Sequence, residues 1–118
     1  MSKSIIKDKS FVFAIRIVKL YKHLVEIKKE FVLSKQLLRS GTSVGALVRE
    51  AQNAESAKDF IHKLAIAQKE CDETIYWLEL LKETEYINQV EFEELQFSAS
   101  ELLKMIRSSI LTMKQKNS

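Results

Sequence analysis

Arg16 and His23 are the two residues whose types and spacing come nearest to an active site. Seven residues separate them, so two helical turns would place both on one polar face. In such a pair the histidine can act as a general acid or base while the arginine holds a phosphate. A solvated charge face in a helix rich in Lys and Arg gives the same spacing and is the preferred interpretation. We therefore predict no catalytic residue.

Metal chemistry lacks its ligands in this sequence. Helical bundles that hold two iron ions use Glu-x-x-His pairs, and none occurs here. Asp59 stands three residues before His62, but His23 has no carboxylate at that distance. Cys71 lacks the Cys and His partners of a zinc site and is expected to be a small hydrophobic residue in the core. We predict neither a metal nor a cofactor.

Small residues mark one side of the second predicted helix. The segment from Gly41 to Gly45 is not followed by the Gly-Lys-Ser/Thr of a phosphate-binding loop. Together with Ala51 and Ala54, the two glycines indicate a patch where another helix packs closely, with a slight kink as the alternative.

Basic residues dominate the first part of the chain. Residues 1–50 carry eleven Lys/Arg against four Asp/Glu, whereas residues 51–118 carry eight against twelve. Glu26 and Glu30 dilute the positive face expected on the first two helices. Such a face can follow a phosphate backbone or simply keep the protein soluble. The candidate nucleic-acid contacts are Arg16, Lys19, Lys22, Lys29, Lys35, Arg39 and Arg49.

The elements that position these residues are predicted to be helices. The chain of 118 residues has no Pro and two Gly, and its apolar residues recur in steps of three and four. We predict helices over residues 10–30, 32–54, 56–85 and 90–114, packed as an antiparallel up-down-up-down four-helix bundle. Residues 10–114 form one domain, preceded by a basic tail at 1–9 and followed by a polar tail at 115–118.

Two serines are expected at helix N-termini. Ser10 precedes the apolar positions of the first helix, which continue to Ile27 and Phe31. Ser56 precedes the third helix and has Asp59 three residues later, an approximate capping box.

Apolar residues also occur beside the predicted core positions, which indicates assembly into oligomers. An irregular bundle that buries both stripes is the alternative. The candidate interface residues are Val18, Tyr21, Val25, Ile66, Trp77 and Leu80.

A cytoplasmic location is expected from the sequence. The first nine residues are polar and basic apart from Ile5 and Ile6, and no apolar run approaches the ~18 residues of a membrane span. A single Cys also excludes an internal disulfide.

Three segments give the sequence a family resemblance. They are residues 36–46 (QLLRSGTSVGA), 59–70 (DFIHKLAIAQKE) and 73–78 (ETIYWL), with Glu50-Ala51 between the first two. In order and spacing they resemble the four helix bundle proteins known as the 23S rRNA intervening-sequence protein family, to which the accessory variability protein of diversity-generating retroelements is related. One departure is Leu47, where the family often has Asn in a Ser-Ile-x-x-Asn pattern.

The resemblance implies an antiparallel four-helix bundle that assembles as a ring-like homopentamer without known catalytic activity. It also implies that a basic surface binds nucleic acid and a nucleic-acid enzyme, as in the retroelement relative. Our hypothesis is a homo-oligomeric, non-enzymatic protein that binds RNA or DNA through helices 1 and 2, as an adaptor. The alternatives are a protein-binding scaffold and a metal-independent RNase, since the Arg-x6-His spacing resembles HEPN-type enzymes.

Overall fold

The computed structural model describes residues 2–117, which form four α-helices and no β-strand. Helix α1 spans Ser2–Glu26, α2 spans Leu33–Gln52, α3 spans Ala57–Glu83 and α4 spans Gln89–Lys116. The all-α class and the number of helices predicted from the sequence are therefore confirmed. Within the described residues, no helix is long and apolar enough to cross a membrane.

The start of the first helix differs from the prediction. Helix α1 begins at Ser2, so Ser10 is not an N-cap. Ser10 is 1% exposed, and its hydroxyl donates a hydrogen bond to the carbonyl of Lys7, one turn earlier, at 3.0 Å. The prediction was wrong because a small polar side chain in a tightly packed helix has the same appearance in sequence as a cap.

The first helix also ends earlier than predicted, at Glu26. Ile27 and Phe31, which continue its apolar spacing in the sequence, are exposed in the turn to α2. The chain leaves the helix through Lys29, whose φ of 58° lies in the left-handed region. The apolar spacing in the sequence thus continues beyond the end of helix α1.

The caps of the later helices are made by side chains. Ser56 is the N-cap of α3, and its hydroxyl accepts a hydrogen bond from the amide of Asp59 at 3.1 Å, as predicted. At the start of α4, Asn88 and Glu91 form a full capping box that the sequence analysis did not identify. Each cap satisfies amides that have no partner within the helix.

The core is one continuous apolar cluster to which all four helices contribute. The apolar positions predicted to form the core are buried, apart from the exposed Ile27 and Phe31 and the partly buried Phe60 and Met113. The largest fully buried apolar side chains are Phe13, Ile17, Leu24, Leu37, Leu64, Leu78, Leu81, Leu102 and Ile106.

Each helix packs against the next one in the chain, and α4 packs against α1. The pairs α1 with α3 and α2 with α4 lie diagonally, with no Cα atoms within 8 Å of each other in residues 2–117. Of the four adjacent pairs, α1 and α4 are the least closely packed. The molecule measures 49 × 23 × 22 Å, so the helices run along its long axis.

Candidate nucleic-acid interface

The turn between α1 and α2 is organised by the carboxylate of Glu30. This carboxylate accepts hydrogen bonds from the backbone amides of Ser34 at 2.6 Å, Leu33 at 2.9 Å and Val32 at 3.1 Å. The Ser34 hydroxyl donates to the Glu30 carbonyl at 2.8 Å. Burial raises the pKa of Glu30, but the amide hydrogen bonds outweigh it and hold the pKa below its usual range.

This geometry changes the charge of the surrounding surface. Glu30 is only 8% exposed, and its negative charge faces the N-terminus of α2 rather than solvent. The view that Glu30 dilutes the positive face is therefore wrong, and Glu26 is the one exposed acid between residues 19 and 35. The amides at the start of α2 are already paired, so phosphate would have to be bound by side chains.

Five exposed lysines surround the α1–α2 turn, either within about two turns of the end of α1 or in the first turn of α2. None of them forms a hydrogen bond or ion pair with its side chain within residues 2–117. We call them the turn lysines: Lys19, Lys22, Lys28, Lys29 and Lys35. Four of them are among the predicted nucleic-acid contacts, and Lys28, which adjoins Lys29 in the sequence, is not.

Arg16 is bound to α4, beside a depression that it shares with Lys19. Its guanidinium donates to the Ser98 hydroxyl at 3.0 Å and lies 3.7 Å from a carboxylate oxygen of Glu94. Both partners are on α4, so Arg16 links α1 to α4.

Arg39 is neutralised by α3. Its guanidinium forms ion pairs with Glu70, at 3.0 Å, and with Glu73. The hydrogen bonds that Arg39 donates to these carboxylates raise its pKa, and the bond to Glu73 makes the larger contribution. The Trp77 indole donates to Glu73 at 3.0 Å, and this bond, followed by that from Arg39, lowers the pKa of Glu73. A phosphate at Arg39 would have to compete with two carboxylates.

Arg49 is at the other end of α2, where its guanidinium carbon lies 5.1 Å from the centre of the Phe11 ring on α1. This is cation–π distance. The structure therefore divides the predicted contacts into a cluster of lysines at one turn and three arginines that each contact another helix. The partners of the arginines are distant in sequence, which is why spacing alone grouped them with the lysines.

Arg16 and His23 line one depression of about 310 Å³ between α1 and α4. Its wall also carries Lys19 and two carboxylates, Glu91 and Glu94. The two acids place negative charge where an RNase would hold its scissile phosphate. Among residues 2–117, no three His, Cys, Asp or Glu side chains are grouped so as to hold a metal ion.

Cys71 is in the core, as predicted. Burial raises the pKa of its thiol to about 12, and the thiol donates to the carbonyl of Ala99 at 3.3 Å. A thiol in this state is not an activated nucleophile.

The six predicted interface residues are all partly buried within the single chain. Trp77 is held by Glu73 and stands edge to face with the exposed ring of Tyr76, at 5.0 Å between ring centres. The large apolar side chains exposed on α1 lie nearer its N-terminus, at Ile5, Phe11, Val12 and Ile15. Phe31 and Val32 are exposed in the turn that carries the turn lysines. Phe31 was predicted to lie in the core because its spacing continues the apolar positions of α1.

Comparison with known proteins identifies relatives across almost the whole chain. The family model described as 23S rRNA-intervening sequence protein matches residues 2–108. A solved structure, that of a protein with unknown function from the S23 ribosomal protein family of Bacteroides thetaiotaomicron VPI-5482, is 55% identical. The match covers 93% of this chain and 98% of that one, with a TM-score of 0.91. A search of curated proteins gave no match.

Proposed function

The chain belongs to the 23S rRNA-intervening sequence protein family, and on that premise we propose that it is a non-enzymatic helical-bundle protein that binds RNA or DNA through the turn lysines. The observation that carries the proposal is that these five cations form no ion pair within residues 2–117, while Glu30 is turned inward. Of the five, Lys19 also lines a depression with the carboxylates of Glu91 and Glu94. Exposed lysines without an ion-pair partner can neutralise phosphates and release the counterions bound to those phosphates. In this role the protein is an adaptor that presents nucleic acid to a partner.

The test is fluorescence anisotropy of labelled structured RNA and labelled duplex DNA between low and physiological salt. If all five lysines contact phosphates, log K against log salt has a slope of about −4.5 for duplex DNA. Replacing Lys28 and Lys35 by Gln is expected to reduce that slope by about 2. Replacing the distant Lys114 and Lys116 by Gln is the matched control, and equal losses in both double variants would contradict the proposed surface.

We further propose the antiparallel up-down-up-down arrangement, supported by pairs of contacts that run in opposite directions. Along α2, Gly41 faces Ile17 and Gly45 faces Ser10. Arg39 of α2 pairs with Glu73 of α3, whereas Glu50, three turns later, pairs with Lys63.

Assembly into a homo-oligomer, a pentamer by the family resemblance, is a second proposal. It is favoured by the exposed Phe11 and Ile15, which helical spacing places on the same side of α1 as the half-buried Val18. Light scattering of Ile15→Glu should show a smaller mass than the native protein, because an unpaired charge in an interface is costly. Two of the interface residues predicted from the sequence are tested by Trp77→Glu and Ile66→Glu. An unchanged mass in all three variants would contradict both proposed interface surfaces.

Two alternatives have distinct outcomes. A protein-binding scaffold would show no phosphate-dependent affinity at physiological salt. A metal-independent RNase would cleave labelled RNA in the presence of a chelator and lose that activity in His23→Ala. The carboxylates of Glu91 and Glu94 beside His23 are the reason that we favour binding without cleavage.

A further inference from the structure

Phe31 is an exposed aromatic side chain in the middle of the basic turn. The residue is 52% exposed, and the adjacent Val32 is 71% exposed. Burying a Phe side chain stabilises a protein by roughly 1.5–3 kcal/mol, and at Phe31 about half of that contribution is not used. The exposed part of the ring is therefore available to a ligand.

The backbone around Phe31 is held in place by the hydrogen bonds of Glu30. Three amides, at positions 32, 33 and 34, converge on the Glu30 carboxylate. The Glu30 amide in turn donates to the Leu24 carbonyl at 2.9 Å, which ties the turn back to α1. Phe31 is thus fixed between two anchored positions, so a ligand that contacts its ring does not have to order the loop first.

The charges beside the ring select the class of ligand. Lys28 and Lys29 precede Phe31, Lys35 follows it by one helical turn, and none of the three has an ionic partner within residues 2–117. A ring placed among free cations fits a polyanion that also carries flat apolar groups. Unpaired nucleotides meet this description, because their bases can stack on an aromatic ring while lysines follow the backbone.

We propose that Phe31 is a stacking platform for unpaired bases, so that the turn prefers single-stranded RNA or DNA to duplex. This inference rests on the proposed function and makes it more specific. In a duplex the bases are stacked on each other and cannot reach a ring outside the helix, so lysine contacts alone remain.

The experiment compares a labelled 20-nucleotide mixed-sequence single strand with the 20-base-pair duplex of the same sequence, both DNA, at physiological salt. Phe31→Ala is expected to weaken single-strand binding by roughly 5- to 150-fold, the range for loss of one base–aromatic stack. Duplex affinity should change by less than about twofold. Phe31→Tyr keeps a ring and should retain the preference for the single strand.

Val32→Ala is the matched control, because Val32 is equally part of the exposed apex but has no ring. Little change in Val32→Ala together with a loss in Phe31→Ala supports stacking. Equal losses in both variants, or equal losses for single strand and duplex, overturn it and indicate a nonspecific apolar contact. If the native protein binds neither of these DNAs nor the labelled structured RNA, the proposed function itself fails. Native binding that is unchanged in Phe31→Ala overturns only the stacking platform.

Discussion

Gly41 of α2 lies directly against Ile17 of α1. A Cβ atom at position 41 would stand 2.8 Å from both Cγ1 and Cγ2 of Ile17, closer than such atoms approach in folded proteins. At Gly45 a Cβ atom would stand 3.2 Å from the carbonyl oxygen of Ser10. The two glycines and the small Ser10 thus set the separation of α1 and α2, the close-packing role that we predicted for the glycines.

We expect Gly41→Ala to destabilise the protein in spite of better helix propensity. Alanine gains about 1 kcal/mol as a helix former, but overpacking against the β-branched Ile17 costs about 1–3 kcal/mol. The expected net loss is up to about 2 kcal/mol in the free energy of unfolding, measured with urea. Gly45→Ala should be closer to neutral because its neighbour has to move by only a few tenths of an ångström. A stabilised Gly41→Ala would show that α1 can shift without cost.

The Glu30 carboxylate is expected to stabilise the start of α2. Glu30→Ala leaves the amides of Val32, Leu33 and Ser34 without their acceptor and should cost about 1–2 kcal/mol, as for the loss of a helix cap. Thermal unfolding followed by circular dichroism measures this cost. Glu26→Ala is the control, since the exposed Glu26 caps no helix, and it should change stability by less than about 0.5 kcal/mol.

The same carboxylate gives a pH dependence whose sign is fixed by its lowered pKa. Its stabilising contribution is complete above the unfolded-state pKa, near 4.5, and is lost as the pH falls through the lower folded-state value. Urea unfolding at pH 7 and pH 3 should therefore show a smaller difference in Glu30→Gln than in the native protein. An identical difference in the two proteins would mean that this carboxylate does not contribute to acid sensitivity.

Two non-glycine residues with positive φ form a matched pair. Lys29 has a φ of 58° in the basic turn and Glu85 a φ of 68° after α3. Replacing either by Gly relieves a conformation that costs an L-residue roughly 1–2 kcal/mol, partly offset by the greater freedom of Gly when unfolded. Both variants should gain up to about 1 kcal/mol of stability by urea unfolding. Only Lys29→Gly should also weaken nucleic-acid binding, because Glu85 carries the opposite charge. Equal nucleic-acid binding by Lys29→Gly and Glu85→Gly would show that Lys29 is not part of the interface.

The sequence predicts the four helices and most of the core because both depend on local spacing. Ser56 was correctly predicted as an N-cap, because Asp59 follows it three residues later. Ser10 is also a serine before a run of apolar positions, but it lies inside a helix. Its burial depends on the approach of Gly45, which is 35 residues away. No local pattern records that distance, so the start of α1 could not be predicted from this residue.

The site was less predictable than the fold because charge depends on partners from other helices. Arg39 and Lys35 occupy similar places in the sequence of α2, yet Arg39 meets two carboxylates of α3 and Lys35 meets none. Glu30 counts as a surface acid in any sum of charges, although its carboxylate is turned to the backbone. The direction of a side chain, which is set by the tertiary fold, decides which charges a ligand encounters.

This difference between Lys35 and Arg39 leads to the last prediction. Lys35→Glu should weaken binding of both single-stranded and duplex nucleic acid and leave stability nearly unchanged, because Lys35 is exposed and unpaired within the described chain. Arg39→Gln should leave binding nearly unchanged, since its positive charge is already neutralised by Glu70 and Glu73. It should lower stability by less than about 1 kcal/mol, as expected for an exposed ion pair. Anisotropy titration and urea unfolding of the two variants separate these effects. A greater loss of binding in Arg39→Gln than in Lys35→Glu would move the interface from the α1–α2 turn to the face between α2 and α3.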